Sequence, residues 1–394
     1  MCPAGIQFQE EETMSGRALR KAVLVSFAVV SILACQAALA AGEILLGNVA
    51  STTNVTARDN CANLVLGYSV YLEDVNSRGG VHGRKIKIVN KDDNLDPAKM
   101  MELTEELIAD KDVLALVGYL NTPGLNQLTK QGLLAQKKIA MIAPIGAFSA
   151  TNFYPLRPGY NEEAEKLLQE AQNTQKKRIA LVYFNQAYGP SVFKFAQEAA
   201  KKIGANVVAT AGFETTPDKI DANIAAAAET LSKANPDAII MIVGGIGAYK
   251  FAKRFRQTEN GSAQIYTLST ADSFQFVKVA GLDNARGVVI SQAMPYPEDN
   301  TLAVVREYQR ILKQYAPDKA PSFFSLEGFM GAKIAVEAIR RAGPNPTREK
   351  VVTALNSMKD FDLGDFLISY STTQRTGSKL VDLTIIGKNG TLYR

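Results

Sequence analysis

The amino-acid sequence predicts an α/β protein built from two similar lobes with parallel sheets, and three observations lead to that prediction. Short runs of Val, Ile and Ala alternate with longer helical patterns through most of the chain. This alternation starts again after a proline-containing segment near the middle. The chain has 394 residues, which suits two or three domains better than one core.

The apolar runs are bounded by Gly, Asp or Asn, a pattern typical of strands that are buried on both faces. Strands that alternate with helices form parallel sheets with right-handed crossovers. The predicted strands are Ile44–Gly47, Lys85–Asn90, Val113–Val117, Ala140–Ala143, Arg178–Tyr183, Asn206–Ala211, Ala238–Ile242, Gln264–Leu268 and Gly287–Ser291. The predicted helices between them are Ala62–Asn76, Pro97–Asp110, Thr122–Gln136, Ala164–Gln172, Ser191–Ile203, Ala222–Ala234 and Ala248–Gln257.

Two proline-rich segments with little periodicity divide the pattern. The segment Thr151–Tyr160 is predicted to link the two lobes, and Gln292–Asn300 follows the last strand of the second set. Beyond it the sequence predicts three helices and then a hairpin with an Asn389-Gly390 turn. Those helices are Thr301–Tyr315, Ser325–Ala342 and Arg348–Leu355, the last with a capped start at Pro346-Thr347.

Composition argues against several classes of function. The net charge of +5 is spread along the chain without a basic stripe, so no nucleic-acid partner is predicted. The one histidine, His82, lies in a glycine-rich turn and is predicted to be exposed. Because His is the commonest general base and a frequent metal ligand, this composition predicts no metal, no cofactor and no enzymatic activity. Nucleotide-binding glycine loops are also missing from the sequence: Gly245-Ile246-Gly247 is too short for a dinucleotide fingerprint.

The N-terminus is typical of a secretory signal peptide. From Met14, the favoured initiator, three basic residues precede the apolar run Ala22–Ala34, and Ala38-Leu39-Ala40 provides small residues before a cleavage site. The apolar run is too short for a comfortable membrane span. The sequence therefore predicts a periplasmic protein whose residues 1–40 are removed. Lipid anchoring through Cys35 is the less favoured alternative, since Ile32–Cys35 is a poor lipobox.

Loops that follow predicted strands are the candidate ligand contacts, because open α/β sheets bind ligands beyond the carboxyl ends of their strands. Asn121 and Thr122 stand at the start of a predicted helix, where backbone N–H groups attract anions. The alternative is that Thr122 serves only as the N-cap of that helix. Gly146, in the loop with Ala147 and Phe148, would let a ligand approach the backbone closely. Asp92-Asp93 lies on a strand-ending turn and is predicted to be solvated.

Several segments, in order and spacing, resemble a known family. They are the run from Tyr71-Leu72-Glu73 through Gly79-Gly80-Val81-His82-Gly83-Arg84 with the preceding Gly67-Tyr68, then Val117-Gly118-Tyr119, Ile142-Ala143-Pro144, Ala187-Tyr188-Gly189, Ala280-Gly281-Leu282 and Leu326-Glu327-Gly328-Phe329. Together they resemble the type I periplasmic binding proteins of the leucine/isoleucine/valine-binding group, over nearly all of residues 43–394.

The resemblance implies two Rossmann-like lobes joined by a three-crossover hinge. It implies a first lobe of residues 43–158 plus 293–377 and a second of 159–292 plus 378–394. It also implies a small-molecule ligand in the cleft between the lobes and, as partners, the membrane permease subunits of an ABC transporter. Hinge rotation would then close the lobes over the ligand.

The resemblance also implies particular contacts. Tyr188 would cover the ligand on closure, the loop with Ser51 would face the cleft, and the loops at Thr122 and Gly146 would hold an α-carboxylate. Three positions depart from the amino-acid-binding pattern. Ser269 stands where relatives carry an acid that binds the ligand's ammonium, and Asp272 follows three residues later. Ile246 stands where relatives frequently carry an aromatic residue, and Ala147 stands where they frequently carry a Thr. A branched-chain amino acid and an aliphatic or aromatic carboxylate or amide therefore both remain candidate ligands.

Two other functions are compatible with such lobes. A ligand sensor for a signalling system would use the same fold, and a doubly wound enzyme would need catalytic groups for which the sequence gives little support. Stoichiometric binding without turnover distinguishes a solute receptor from the enzyme.

Overall fold

The computed structural model describes residues 42–54, 57–146, 150–185, 188–215 and 218–394, and its strands form two main sheets. The signal-peptide prediction, including Cys35, lies outside these residues. Within the described part of the chain, no helix combines the length and the apolar character needed to cross a membrane.

The first sheet has five parallel strands in the order β2-β1-β3-β4-β5. Its strands are β1 (Ile44–Val49), β2 (Ile86–Lys91), β3 (Val113–Val117), β4 (Ala140–Ile142) and β5 (Phe153–Tyr154). The helices between and beside them are Arg58–Ser77, Pro97–Ala109, Thr122–Gln131 and Leu133–Gln136. Strand β3 is buried at every position, as expected for a central parallel strand covered on both faces. We call this sheet with its packed helices the first lobe.

The second sheet has seven strands in the order β14-β13-β10-β9-β8-β6-β7. Five are mutually parallel: β6 (Ile179–Phe184), β7 (Val207–Phe213), β8 (Ala238–Ile242), β9 (Gln264–Thr267) and β10 (Val289–Gln292). The C-terminal hairpin adds β13 (Asp382–Ile386) antiparallel to β10, and β14 (Leu392–Tyr393) at the edge. The helices of this second lobe are Tyr160–Asn173, Gly189–Lys202, Ile220–Lys233, Gly245–Phe255, Ser273–Ala280 and Leu282–Ala285.

Late segments of the chain complete the first lobe. The helices Ala303–Tyr315, Phe323–Arg341 and Arg348–Asn356 share one buried apolar cluster with strands β1, β3 and β4. A short hairpin of β11 (Phe361–Asp362) and β12 (Leu367–Ile368) follows. The segment before β13 runs beside the segment after β5, since the amides of Gly377 and Ser378 donate to the carbonyls of Pro155 and Leu156 at 2.9 and 2.8 Å.

The prediction of two α/β lobes with parallel sheets is confirmed, and all nine predicted strands are present. The predicted linker Thr151–Tyr160 contains strand β5, which is too short to show a period. The single helix predicted at Thr122–Gln136 is broken at Gly132, which adopts a left-handed φ of 63°. The predicted capped start at Thr347 is present: its side chain accepts a hydrogen bond from the amide of Lys350.

Candidate functional site

A cavity of about 250 Å³ lies between the two lobes. This volume is near the lower end of the range for small-molecule sites. Both lobes contribute to its wall. The first lobe supplies Ala57, Asn60, Leu95, Leu120, Thr122, Pro123, Ile145 and Phe324, and the second supplies Tyr160, Phe184, Tyr188, Thr215, Gly244, Gly245, Ile246, Gly247 and Thr270.

Most of these residues follow the carboxyl ends of parallel strands. Leu120 follows β3, Ile145 follows β4, Phe184 ends β6, and Gly244 follows β8. This is the edge of an open parallel sheet at which ligands bind, so the position of the cavity agrees with the rule applied to the sequence. The lobes also touch beside it, where the Asn60 side-chain amide donates to the carbonyl of Thr270 at 3.4 Å.

Several helices begin at the cavity, and two of them differ in how their first turns are capped. In the helix Thr122–Gln131 the N-cap is Asn121, whose side chain accepts from the amide of Gly124 at 3.1 Å. The helix Gly245–Phe255 has Gly244 as its N-cap, and no side chain in the described residues caps it. The first-turn amides of that second helix can therefore donate to an acceptor in the cavity, and the helix dipole favours a negative charge there.

Tyr188 forms part of the cavity wall and is held by other aromatic groups. Its ring centroid lies 4.2 Å from that of Tyr160 and 4.7 Å from that of Phe184. Its hydroxyl is 3.2 Å from Oγ1 of Thr270. Burial raises the pKa of Tyr188 well above its ordinary value, so the phenol stays protonated and can donate a hydrogen bond.

The cavity wall has no acidic or basic side chain among the described residues. The internal segments outside the description, 55–56, 147–149, 186–187 and 216–217, contain no charged residue by sequence either. An ammonium group would therefore find no carboxylate in the described wall of this cavity, although Glu162 lines the cavity beside it. A carboxylate or amide would meet helix amides, Thr122 and Tyr188.

The structure brings three of the predicted site residues together at this cavity: Thr122, Tyr188 and Ile246. Gly146 lies in an adjoining cavity of about 190 Å³, which also touches Thr122, Tyr160 and Tyr188. Ala147 and Phe148 lie outside the described residues. The alternative that Thr122 is an N-cap is wrong, because Asn121 occupies that position.

Ser51 and Asn121 lie away from the cavity wall and share a buried acid instead. Asp93 is fully buried and accepts from the Ser51 hydroxyl at 2.6 Å and from the Asn121 side-chain amide at 2.8 Å. The prediction that Asp93 is solvated is therefore wrong. Its carboxylate ties the loops after β1, β2 and β3 together.

Ser269 and Asp272 also lie outside this wall. The Ser269 hydroxyl and amide both donate to the Glu163 carboxylate, at 3.0 and 2.9 Å. Asp272 caps the helix Ser273–Ala280 by accepting from the amide of Gln275. Neighbouring Thr270 lines the cavity in their place. Direct contact of Ser51, Asn121, Ser269 or Asp272 with a ligand stays a prediction.

Sequence reasoning missed several wall residues for different reasons. The strand-end rule, applied to every strand, would have indicated Phe184 and Gly244. Tyr160 instead begins the helix after the first interlobe segment, and Phe324 lies in the first turn of the helix Phe323–Arg341. Their positions depend on how the lobes are joined, and no local sequence signal marks them.

The architecture and this site define a two-lobed α/β binding protein with its ligand cavity between the lobes. The family model for periplasmic binding proteins matches residues 43–387. The chain belongs to that family, in its type I, Leu/Ile/Val-binding-protein-like group.

Individual relatives are similar over different spans. The Leu/Ile/Val-binding protein of Escherichia coli (strain K12) is 27% identical over 144 residues, which are 34% of this chain and 38% of that protein. The extracellular ligand-binding receptor of Verminephrobacter eiseniae ef01-2 is 26% identical, with a TM-score of 0.83 over 89% of this chain and all of that one. A branched-chain amino acid ABC transporter structure from Thermus thermophilus with bound valine, 19% identical, has a TM-score of 0.77 over 90% of this chain and 95% of that one, which shows a shared fold.

Proposed function

We propose that this protein is exported and delivers a small, mainly apolar ligand to the membrane permease of an ABC importer, without converting it. Membership in the periplasmic binding protein family supports the general role. The signal-peptide pattern at residues 14–41 supports export. Closure of the two lobes over the ligand would be the event that the permease recognises.

We propose the lobe boundaries 43–158 plus 293–377, and 159–292 plus 378–394. The distribution of the strands supports them, because β1–β5 belong to one sheet and β6–β10 with β13 and β14 to the other. The buried apolar clusters divide the chain in the same way. The crossings would then lie near residues 158, 292 and 377.

The ligand class that the cavity favours is an aliphatic or aromatic carboxylate, or the matching amide, ahead of an α-amino acid. The uncharged cavity wall is the observation that carries this proposal. A buried ammonium without a counter-charge or sufficient hydrogen bonds is costly, whereas a carboxylate can be satisfied by helix amides and hydroxyls. Leu95, Leu120, Ile145 and Phe184 provide apolar surface for the rest of the molecule.

A matched pair of ligands tests this class. L-leucine and 4-methylpentanoate share a carbon skeleton and a carboxylate, and only leucine carries the ammonium. We expect 4-methylpentanoate to bind at least tenfold more tightly in calorimetry. Ligand at 100 times its dissociation constant should stabilise the protein by about 2.7 kcal/mol in thermal unfolding.

4-Methylpentanamide serves as the control for charge, because it keeps the shape and removes the anion. Tighter binding of leucine than of 4-methylpentanoate would contradict the proposed ligand class. Turnover of any bound compound would contradict the receptor function.

A further inference from the structure

Three ionisable side chains are buried together where the lobes are joined. Arg157 lies in the first crossing, Glu163 in the helix Tyr160–Asn173 of the second lobe, and Glu327 in the helix Phe323–Arg341 of the first lobe. Their side chains are 2%, 0% and 2% exposed, respectively. One guanidinium faces two carboxylates, so this hinge cluster has one acid in excess.

The two carboxylates are bonded unequally. Glu163 accepts from Nη2 of Arg157 at 2.7 Å, from the amide and hydroxyl of Ser269, and from the hydroxyl of Ser291 at 2.6 Å. Nη2 of Arg157 also contacts the Ser269 hydroxyl. Glu327 has one distant partner, Nη1 of Arg157 at 3.4 Å, and among the described residues its Oε1 has none. Glu163 is therefore satisfied as an anion, and Glu327 is the acid that gains by taking up a proton.

The hinge cluster also lies directly behind the ligand cavity. Phe324, one helical turn before Glu327, lines that cavity. Tyr160 lines it as well, and its ring centroid is 5.7 Å from Cζ of Arg157. A movement of the first lobe against the second would thus change both the cavity wall and the distance between Glu327 and Glu163, which belong to different lobes.

We propose that Glu327 is a proton-binding site through which pH biases closure of the lobes, the closed arrangement holding the proton and the open one releasing it. This inference rests on the proposed function, because it assumes that the lobes open and close around the cavity. Opening would bring water to Glu327 and allow it to ionise. Closing would bury it beside Glu163 again.

The direction of the pH effect follows from the surroundings of Glu327. Burial raises its pKa to about 7 from an ordinary value of 4.5; the attraction of Arg157 opposes this rise, and the repulsion of Glu163 adds to it. The other groups that face it are the phenols of Tyr68 and Tyr160, which burial keeps protonated, and the neutral amide of Gln292 beside the same small void. We take the arrangement in the structure, in which Glu327 is buried, as the closed one. Its pKa there is higher than the ordinary value expected after opening, so the closed arrangement binds more protons than the open one between about pH 4.5 and 7. Closure is then favoured as pH falls through that range.

Small-angle scattering of the ligand-free full chain tests the proposal without a ligand. The wild type should have a smaller radius of gyration at pH 5.5 than at pH 8. Glu327→Gln keeps the shape of the side chain and removes its charge. This variant should have the smaller radius of gyration at both pH values. Glu229→Gln, an exposed helix position, is the matched control and should follow the wild type. A wild-type radius that does not change with pH would overturn the proposal, and this readout does not depend on how the variant folds.

Calorimetry with 4-methylpentanoate, which is still mostly ionised at pH 5.5, provides the second readout. We expect its affinity to rise roughly tenfold from pH 8 to pH 5.5 in the wild type and to change less than threefold in Glu327→Gln. An equal rise in both proteins would overturn the assignment to Glu327. If this probe fails to bind at all, the proposed ligand class is wrong, and the scattering result still decides whether Glu327 controls closure.

Discussion

At the scale of single residues, the buried acids explain why some predicted contacts lie away from the cavity. The Asp93 carboxylate accepts hydrogen bonds from the side chains of Ser51 and Asn121, and the Glu163 carboxylate accepts one from the side chain of Ser269. Polar groups at strand ends thus serve two purposes: some hold the loops in place and others line the cavity. The sequence alone does not separate the two, because both sets are short polar residues in the same loops.

The residues that face the cavity can be tested by truncation. We expect Tyr188→Ala and Thr122→Ala each to weaken binding of 4-methylpentanoate at least tenfold, since each loses a hydrogen-bond donor, and Tyr188→Ala also loses a packed ring. The measurement is calorimetry, with circular dichroism to establish that the variants fold. Asn126→Ala is the control near Thr122, because Asn126 lines only the adjoining cavity. Unchanged affinity in both Tyr188→Ala and Thr122→Ala would refute this site.

At the scale of secondary-structure elements, the sequence predicts well whether a segment is a strand or a helix, and predicts poorly where a helix begins. Strands such as β3 and β8 are continuous apolar runs and are recognised directly. The helices at Arg58, Tyr160 and Gly245 begin earlier than their periodicity indicates, because their first turns are polar or rich in glycine. The helix Ser273–Ala280 was missed, since eight residues are too few to display a face.

Two glycines allow a close contact between two helices, where the helix Arg58–Ser77 crosses the helix Phe323–Arg341. A Cβ added to Gly67 would lie 1.9 Å from the carbonyl oxygen of Ser325, and one added to Gly328 would lie 2.1 Å from that of Leu64. These neighbours are backbone atoms, so the two helices would have to move apart to remove the steric clash. The rings of Tyr71 and Phe329, 4.9 Å apart, pack beside the crossing.

We expect Gly67→Ala to lower the free energy of unfolding by about 3 kcal/mol, because the added methyl group forces this helix pair apart. Urea unfolding followed by circular dichroism measures the change. Ser69→Ala, on the exposed side of the same helix, is the matched control and should change stability by less than about 0.5 kcal/mol. Equal stability of the two variants would contradict the close crossing.

At the scale of the whole molecule, the last strands of the chain close the second sheet. Strand β13 covers the edge of β10, and Ile386 is buried in the core of the second lobe. The crossing before β13 is hydrogen-bonded to the first crossing through Gly377 and Ser378. The C-terminal segment therefore contributes both to the second lobe and to the hinge.

Removing residues 379–394 should lower the melting temperature by at least about 5 °C, because the deletion exposes the edge of β10 and the apolar surface that Ile386 covers. Differential scanning calorimetry measures the shift. Removing only Tyr393 and Arg394 is the control, because β13 then remains in place. An unchanged melting temperature after the longer deletion would show that β13 adds nothing to the stability of the sheet.

The late position of the helix Phe323–Arg341 has a consequence for the newly made chain. This helix fills the core of the first lobe, yet it follows the entire second sheet up to β10 in the sequence. Until it leaves the ribosome, the apolar face that the early strands share with the helix Arg58–Ser77 is only partly covered, and contacts so distant along the chain form slowly. For a protein exported as proposed above, such a delay would keep the polypeptide extended while the secretion machinery threads it, before the two halves become too bulky to pass.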